Sequence, residues 1–307
     1  MSQDFEDGPH ELVRTNDFDT ERAIELDISN HIGPVTVELT ETALTHVEIR
    51  HDPESGSPDW RSGLSGLLSW VSEQIGDNVA KNGGGTVEDS TAEALRQTRI
   101  DMTGNRLAVH PPGTPPLRTV PLAVKVQAPT GSQVGVRTGS GTVTITGEAG
   151  KARIQTGSGD VTTQRVTGSA TVRTGSGQLR LGAMPAGVHA RSGSGEIEIA
   201  ALEEASSVVT GNGDVWLGTV GGDVLVRSGS GTLSVADAAS GKTELITGSG
   251  GLHVAVRHGT LADVDLTSST GTARSELVVS EEPPPQEPAL RIFGRTGSGE
   301  ALITSAV

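Results

Sequence analysis

A Gly-Ser-Gly tripeptide recurs every 18 residues through the middle of this chain, and so short and strict a period leaves room for few folds. The first glycines stand at Gly139, Gly157, Gly175, Gly193, Gly211 and Gly229. The second stand at Gly141, Gly159, Gly177, Gly195, Gly213 and Gly231, with Asn212 replacing the serine once. Gly248 follows after 19 residues, Ser269-Thr270-Gly271 is a degenerate copy, and Gly297-Ser298-Gly299 is a clean one. Self-similarity at a fixed period marks a repeat architecture, in which each unit buries its apolar face only against its neighbours.

The residues around each tripeptide alternate with period two. Before it stand Val134 and Val136, Ala152 and Ile154, Ala170 and Val172, Val188 and Ala190, and Val224 and Val226. After it stand Val143 and Ile145, Leu179 and Leu181, Ile197 and Ile199, Val215 and Leu217, Leu233 and Val235, and Leu252 and Val254. Each unit therefore reads as two short strands with one face inward, joined at a glycine corner. Stacked units give parallel sheets around a column of aliphatics, a β-solenoid with about 18 residues per coil. Glycine suits the corner because it tolerates positive φ and close approach of the next coil. The hydroxyls just before it, Thr138, Thr156, Thr174, Ser192, Thr210, Ser228 and Thr247, read as a ladder.

The coils RTGSGTVTI from Arg137, RTGSGQLRL from Arg173 and RTGSGEALI from Arg295, with DISNHIGPVTVEL from Asp27 and PLAVKVQAPTG from Pro121, resemble the bacterial putative-adhesin family of β-strand-repeat proteins, a class of unknown function. The resemblance covers about residues 20–50 and 98–307. It implies a right-handed parallel β-helix and carries no site residues across.

Composition agrees with a narrow core. The chain of 307 residues has 42 glycines, 3 Phe, 3 Trp and no Tyr, where glycine ordinarily supplies about 7%. The net charge of -15 argues against a nucleic-acid partner, which clustered Lys and Arg would serve. Cysteine is absent, which removes disulfides and thiolate sites and fits a reducing compartment. No window reaches the apolar length of a membrane span and the opening residues lack a signal-peptide pattern, so the expected location is the cytoplasm.

Outside the repeat, residues 1–19 are read as a disordered acidic N-terminus and 20–50 as a first, irregular β coil. Residues 51–98 form an insertion with helical character near 57–97, and 99–307 the solenoid proper. Trp60, Leu64, Leu67, Leu68, Val71 and Ile75 fall on one stripe of a helical wheel and are read as a cap over the apolar end of the stack, or as a partner face. A second short helix is expected to open at Ser90–Glu93, and a hairpin around Thr103-Gly104-Asn105. The Glu281-Glu282-Pro283-Pro284-Pro285 stretch reads as an extruded loop.

The chemistry open to such a chain is limited. Asp160, Glu196, Asp214 and Glu300 share one corner position, as paired carboxylates of a polysaccharide-cleaving β-helix would. The competing reading is a solvated acidic column facing an outward row of Arg137, Arg173, Arg191, Arg227 and Arg295. The acids alternate with Thr and Gln, so calcium ligands would not converge, and the eight histidines show no metal spacing. No metal, cofactor or catalytic group is expected. The leading reading is a non-enzymatic scaffold that binds a protein partner, or itself through an uncovered coil holding Ala301 and Ile303. The alternative is a surface adhesin or glycan binder, against which an expected lack of exposed aromatics counts.

Overall fold

The structure is a computed structural model, and it describes residues 12–55, 87–277 and 287–306. Its strands form two long sheets, sheet I of 13 strands and sheet II of 12, most of them parallel. Each central repeat supplies one strand to each sheet. Lys151–Ser158 runs in sheet II, turns at Gly159 and continues as Val161–Val166 in sheet I. The next unit does the same with Ala170–Ser176 and Leu179–Met184. The registers follow the repeat, with Ala152 beside Val134 on one side and Ala170 on the other, and Val161 between Val143 and Leu179. The result is a stack like a β-solenoid, and the period-two alternation predicted from sequence sets its core. Val136, Ile154, Val172, Val208 and Val226 line one inner wall, and Ile145, Ile199, Leu217 and Val235 the other, all buried.

Both glycines of each corner are required, for different reasons. The second has positive φ, 131° at Gly159 and 129° at Gly177, where a side chain is strained. The first, Gly175, lies outside that region, so of the two reasons expected for a corner glycine only close approach applies there. It sits so close to the neighbouring coil that an added Cβ would meet the carbonyl oxygen of Gly157 at 2.5 Å. The buried hydroxyl column is present but does not bond to itself. Thr156, Thr174, Ser228 and Thr247 donate to the carbonyl two residues on, at 2.9–3.1 Å, and Thr247 also to Gly231 of the coil before. Asn30 holds the equivalent place in the first coil, where its amide reaches the carbonyls of both Gly33 and Leu122.

The ends of the stack are not built in chain order. Glu25–Ile32 and Val35–Thr40 form a coil that rests on Gln133–Ser140 and Val143–Ala149. On its other side lie Arg106–His110 and Leu122–Pro129, so the coil beneath it comes later in sequence. That end then changes to antiparallel pairing. Arg99–Thr103 folds back on Arg106–His110 about Gly104, the expected hairpin, while Leu44–His51 pairs antiparallel with Leu122–Pro129. Val13–Asp19 adds a further antiparallel strand, although residues 1–19 are read from sequence as disordered. Its residues VRTNDFD have no apolar face to betray a strand, and it is held by its backbone ladder to Leu44–His51 and by Arg14. The Arg14 guanidinium donates to the carbonyls of Leu95, Arg96 and Thr98 at 2.6–3.1 Å and so caps the C-terminus of helix α1, Val87–Gln97. The helix includes Ser90 rather than opening there, because Val87–Asp89 is already helical, and it buries Ala94 and Leu95.

At the far end the same reversal occurs. Leu290–Ser298 pairs with Gly241–Ser249 on one side and with Ala262–Ser268 on the other, and Ala301–Ser305 lies between Leu252–Val256 and Ala273–Ser275. Ala301 and Ile303 are therefore fully buried, and the expectation that their coil stands uncovered is wrong. Among the described residues the outermost position goes to residues 262–275, whose strands bury less. Asp263 and Asp265 point outward there, and Ala273–Ser275 is exposed throughout, features that discourage edge-to-edge pairing.

Candidate functional site

The expected cap face, Trp60, Leu64, Leu67, Leu68, Val71 and Ile75, lies outside the described residues, so the surface chemistry has to be read from the corners and the outer faces of the two sheets.

The carboxylates that might form a catalytic pair serve the corner instead. Asp160 accepts the backbone N–H of Gln178 at 2.8 Å, and Asp214 that of Thr232 at 2.6 Å, each from the following coil. Between them Gln178 donates its side-chain amide to Glu196 at 2.8 Å. Asp223 repeats the device at the opposite corner, where it accepts the Lys242 N–H. Asp160 and Asp214, each capping the next rung, are thereby satisfied structurally. Among the described residues, no three His, Cys, Asp or Glu gather as metal ligands would.

Nor does the arginine row face these acids as ion-pair partners. The charges divide between sheet I and the middle of sheet II. On sheet I opposite charges meet across rungs, as in Lys125–Glu38 at 2.9 Å, Arg165–Glu148 at 3.3 Å and Arg180–Glu198 at 3.4 Å. Arg257 and Asp237 do the same, and the bond from that guanidinium holds the Asp237 carboxyl below its usual range. Sheet II differs. Its six neighbouring strands from Gln133–Ser140 to Val224–Ser230 contain no acid, yet carry Arg137, Lys151, Arg153, Arg173, Arg191 and Arg227, all exposed. Among the described residues only Arg137 of these six has a carboxylate within 4.0 Å, Asp27 at 3.6 Å. The registers align Arg137, Gln155, Arg173, Arg191, Val209 and Arg227 in one column, with Arg173 and Arg191 on adjacent rungs.

One end of the column opens into a depression of about 460 Å³. It exists because Gly135 stands where its ladder neighbours Asp27 and Arg153 have side chains. Arg106, Arg137, Lys151 and Arg153 line it with Glu25 and Asp27. Arg106 engages both acids, Asp27 at 2.6 Å and Glu25 at 3.7 Å, which leaves Lys151 and Arg153 without a carboxylate partner. Beyond Arg227 the run ends, since Glu244 reappears and pairs with Lys242 at 3.0 Å.

Sheet I holds a second, smaller depression of about 220 Å³, beside Trp216. Its rim includes Ser234, His253, Leu302 and Thr304, with Ala236 and Ala255 beneath. Trp216 is 43% exposed, so the described chain does carry an exposed aromatic, contrary to the reading from composition. The signal was available. Trp216 falls between inward Val215 and Leu217, so period two turns it outward.

No family model matches the chain, and no curated protein matches it. Solved structures of similar outline include a putative adhesin from Bacteroides fragilis, 12% identical, with 96% of this chain and 98% of that one covered and a TM-score of 0.41. A putative adhesin from Parabacteroides distasonis is 10% identical, with 95% and 97% covered and a TM-score of 0.31. A putative lipid binding protein from the same species is 10% identical, with 94% and 96% covered and a TM-score of 0.28.

Proposed function

We infer that the protein is a non-enzymatic binding scaffold, a stiff rod whose outer sheet faces hold a partner along their length. One observation carries this reading: six exposed cations stand together on sheet II with no acid on their strands, in a chain whose net charge is -15. Like charges on neighbouring rungs cost stability, so a stack shaped by folding alone would intersperse them as sheet I does. The rod is read as a right-handed parallel β-helix of about 18 residues per coil. The 18-residue offset of its registers supports the coil length, and the strong right-handed preference of parallel crossovers supports the hand.

Engagement of Asp160 and Asp214 by backbone N–H groups supports a non-enzymatic role, since both carboxylates are already committed to the corners. Incubation with neutral and acidic polysaccharides should leave their chain lengths unchanged. Shortening that disappears in the double variant Glu196→Gln, Asp214→Asn would overturn the scaffold reading. Cell fractionation then separates an internal scaffold from a surface rod.

A further inference from the structure

Resting on the scaffold reading, the arrangement of sheet II also names the chemistry of the partner. We propose that this face binds a linear anionic polysaccharide, carboxylated or sulfated, laid along the rod over Arg137, Lys151, Arg153, Arg173, Arg191 and Arg227.

The geometry is that of a track. Parallel rungs repeat about every 4.8 Å, so the five steps from Arg137 to Arg227 span about 24 Å in a straight line. The first four rungs each offer a cation: Arg137, then Lys151 with Arg153, then Arg173, then Arg191. Where the column itself holds uncharged Gln155, Lys151 and Arg153 of the same strand supply the charge. Guanidinium groups fit carboxylate and sulfate oxygens with paired N–H donors, and the hydroxyls of Thr171 and Ser207 on the same face suit a hydroxylated polymer. The depression over Gly135, whose Glu25 and Asp27 are engaged by Arg106, gives one acidic sugar unit room to sit beside Lys151 and Arg153.

Other polyanions fit less well. Single-stranded nucleic acid is normally held by aromatic platforms as well as charge, and these six strands contain no Phe, Tyr or Trp. A membrane surface would be met by protruding apolar side chains, and among the described residues the exposed large ones, Val13, Leu44, Trp216 and Leu261, all lie elsewhere. A folded acidic protein would need a desolvated apolar centre to its interface, which a polar row one side chain wide lacks. The acidic remainder of the molecule repels a polyanion from other faces and so confines it to the track.

The test uses the full chain with immobilised polygalacturonate and heparin. Dextran serves as the neutral polymer, with an oligothymidine strand and phosphatidylglycerol vesicles as the other anions. Retention on polygalacturonate or heparin at low salt and release as salt is raised are expected, because exposed charges are screened within about 10 Å at 0.1 M. The triple variant Arg153→Gln, Arg173→Gln, Arg191→Gln should weaken binding by about fivefold to a hundredfold, since three exposed charge contacts are lost together. Arg180→Gln and Trp216→Ala on sheet I should leave it unchanged, and unaltered melting of all variants shows that the fold is intact. Equal binding by the triple variant overturns the proposal, as does failure to bind either polysaccharide. Tighter binding to the oligonucleotide or the vesicles replaces the polysaccharide with that class. Each of these failures leaves the scaffold reading standing, since only enzymatic shortening of the polymer removes it.

Discussion

Sheets I and II are built from the same coils, share one core and alternate inward and outward residues in the same way, yet in the middle of the stack their outer faces treat charge oppositely. On sheet I Arg180 lies beside Glu198 and Arg165 beside Glu148. On sheet II Arg173 lies beside Arg191, with no acid on either strand. The difference teaches that this frame constrains its interior and its corners while leaving the outer columns open. A fold that is indifferent to its surface makes a like-charge row on that surface informative about something other than folding.

The comparison breaks first if the frame proves less demanding than the faces. Gly177→Val should destabilise the protein by about 3 kcal/mol or more, since it places a β-branched residue at positive φ and its Cβ 2.3 Å from the Gly159 carbonyl. Arg173→Gln in the same unit should change stability by less than about 0.5 kcal/mol. Urea denaturation measures both, and equal midpoints would refute the division into frame and face.

A charge reversal on each sheet sharpens the contrast, because the signs should differ. Arg173→Glu sets an opposite charge beside Arg191 and should raise stability by a few tenths of a kcal/mol, whereas Arg180→Glu sets a like charge beside Glu198 and should lower it by a similar amount. Loss of stability in both would mean that the cations of sheet II are already balanced by charges farther along the corners.

The smallest effect is in acid. The Arg257 bond lowers the Asp237 carboxyl, so the pair's stabilisation is fully present above the ordinary carboxylate value and is lost as pH falls through the lower, folded one. Arg257→Gln should therefore flatten the fall in melting temperature below about pH 4. Arg227→Gln on sheet II should leave that profile as it is, and flattening there too would break the contrast between the sheets.

What could be read in the sequence divides along the same line as frame and face. The inward residues, the corners and the hairpin at Gly104 follow from local rules: period two, close approach and positive φ. The stacking order does not, because Leu26 pairs with Leu107 on one side and Val134 on the other, and nothing local distinguishes a coil's spatial neighbour from its sequence neighbour. Val13–Asp19 was hidden for a related reason, being held by its backbone ladder and by Arg14 rather than by an apolar stripe. The row of cations is legible in the sequence, but its partners are not. Arginines and acids at fixed repeat positions suggest paired columns, and only the geometry shows Asp160 and Asp214 turned to backbone amides of the next coil.

The reversed order of the last two coils changes how the rod can come apart. A stack laid down in sequence order would fray from its latest segment. Here Leu290–Ser298 and Ala301–Ser305 are clasped on both sides, so residues 262–275 must peel away before they can be released. Amide hydrogens of 262–275 should therefore exchange before those of 290–305, although the latter lie later in the chain. The same clasp places the units that can be gained or lost in the middle, where adding an 18-residue coil would lengthen the rod, and its track, without disturbing either end.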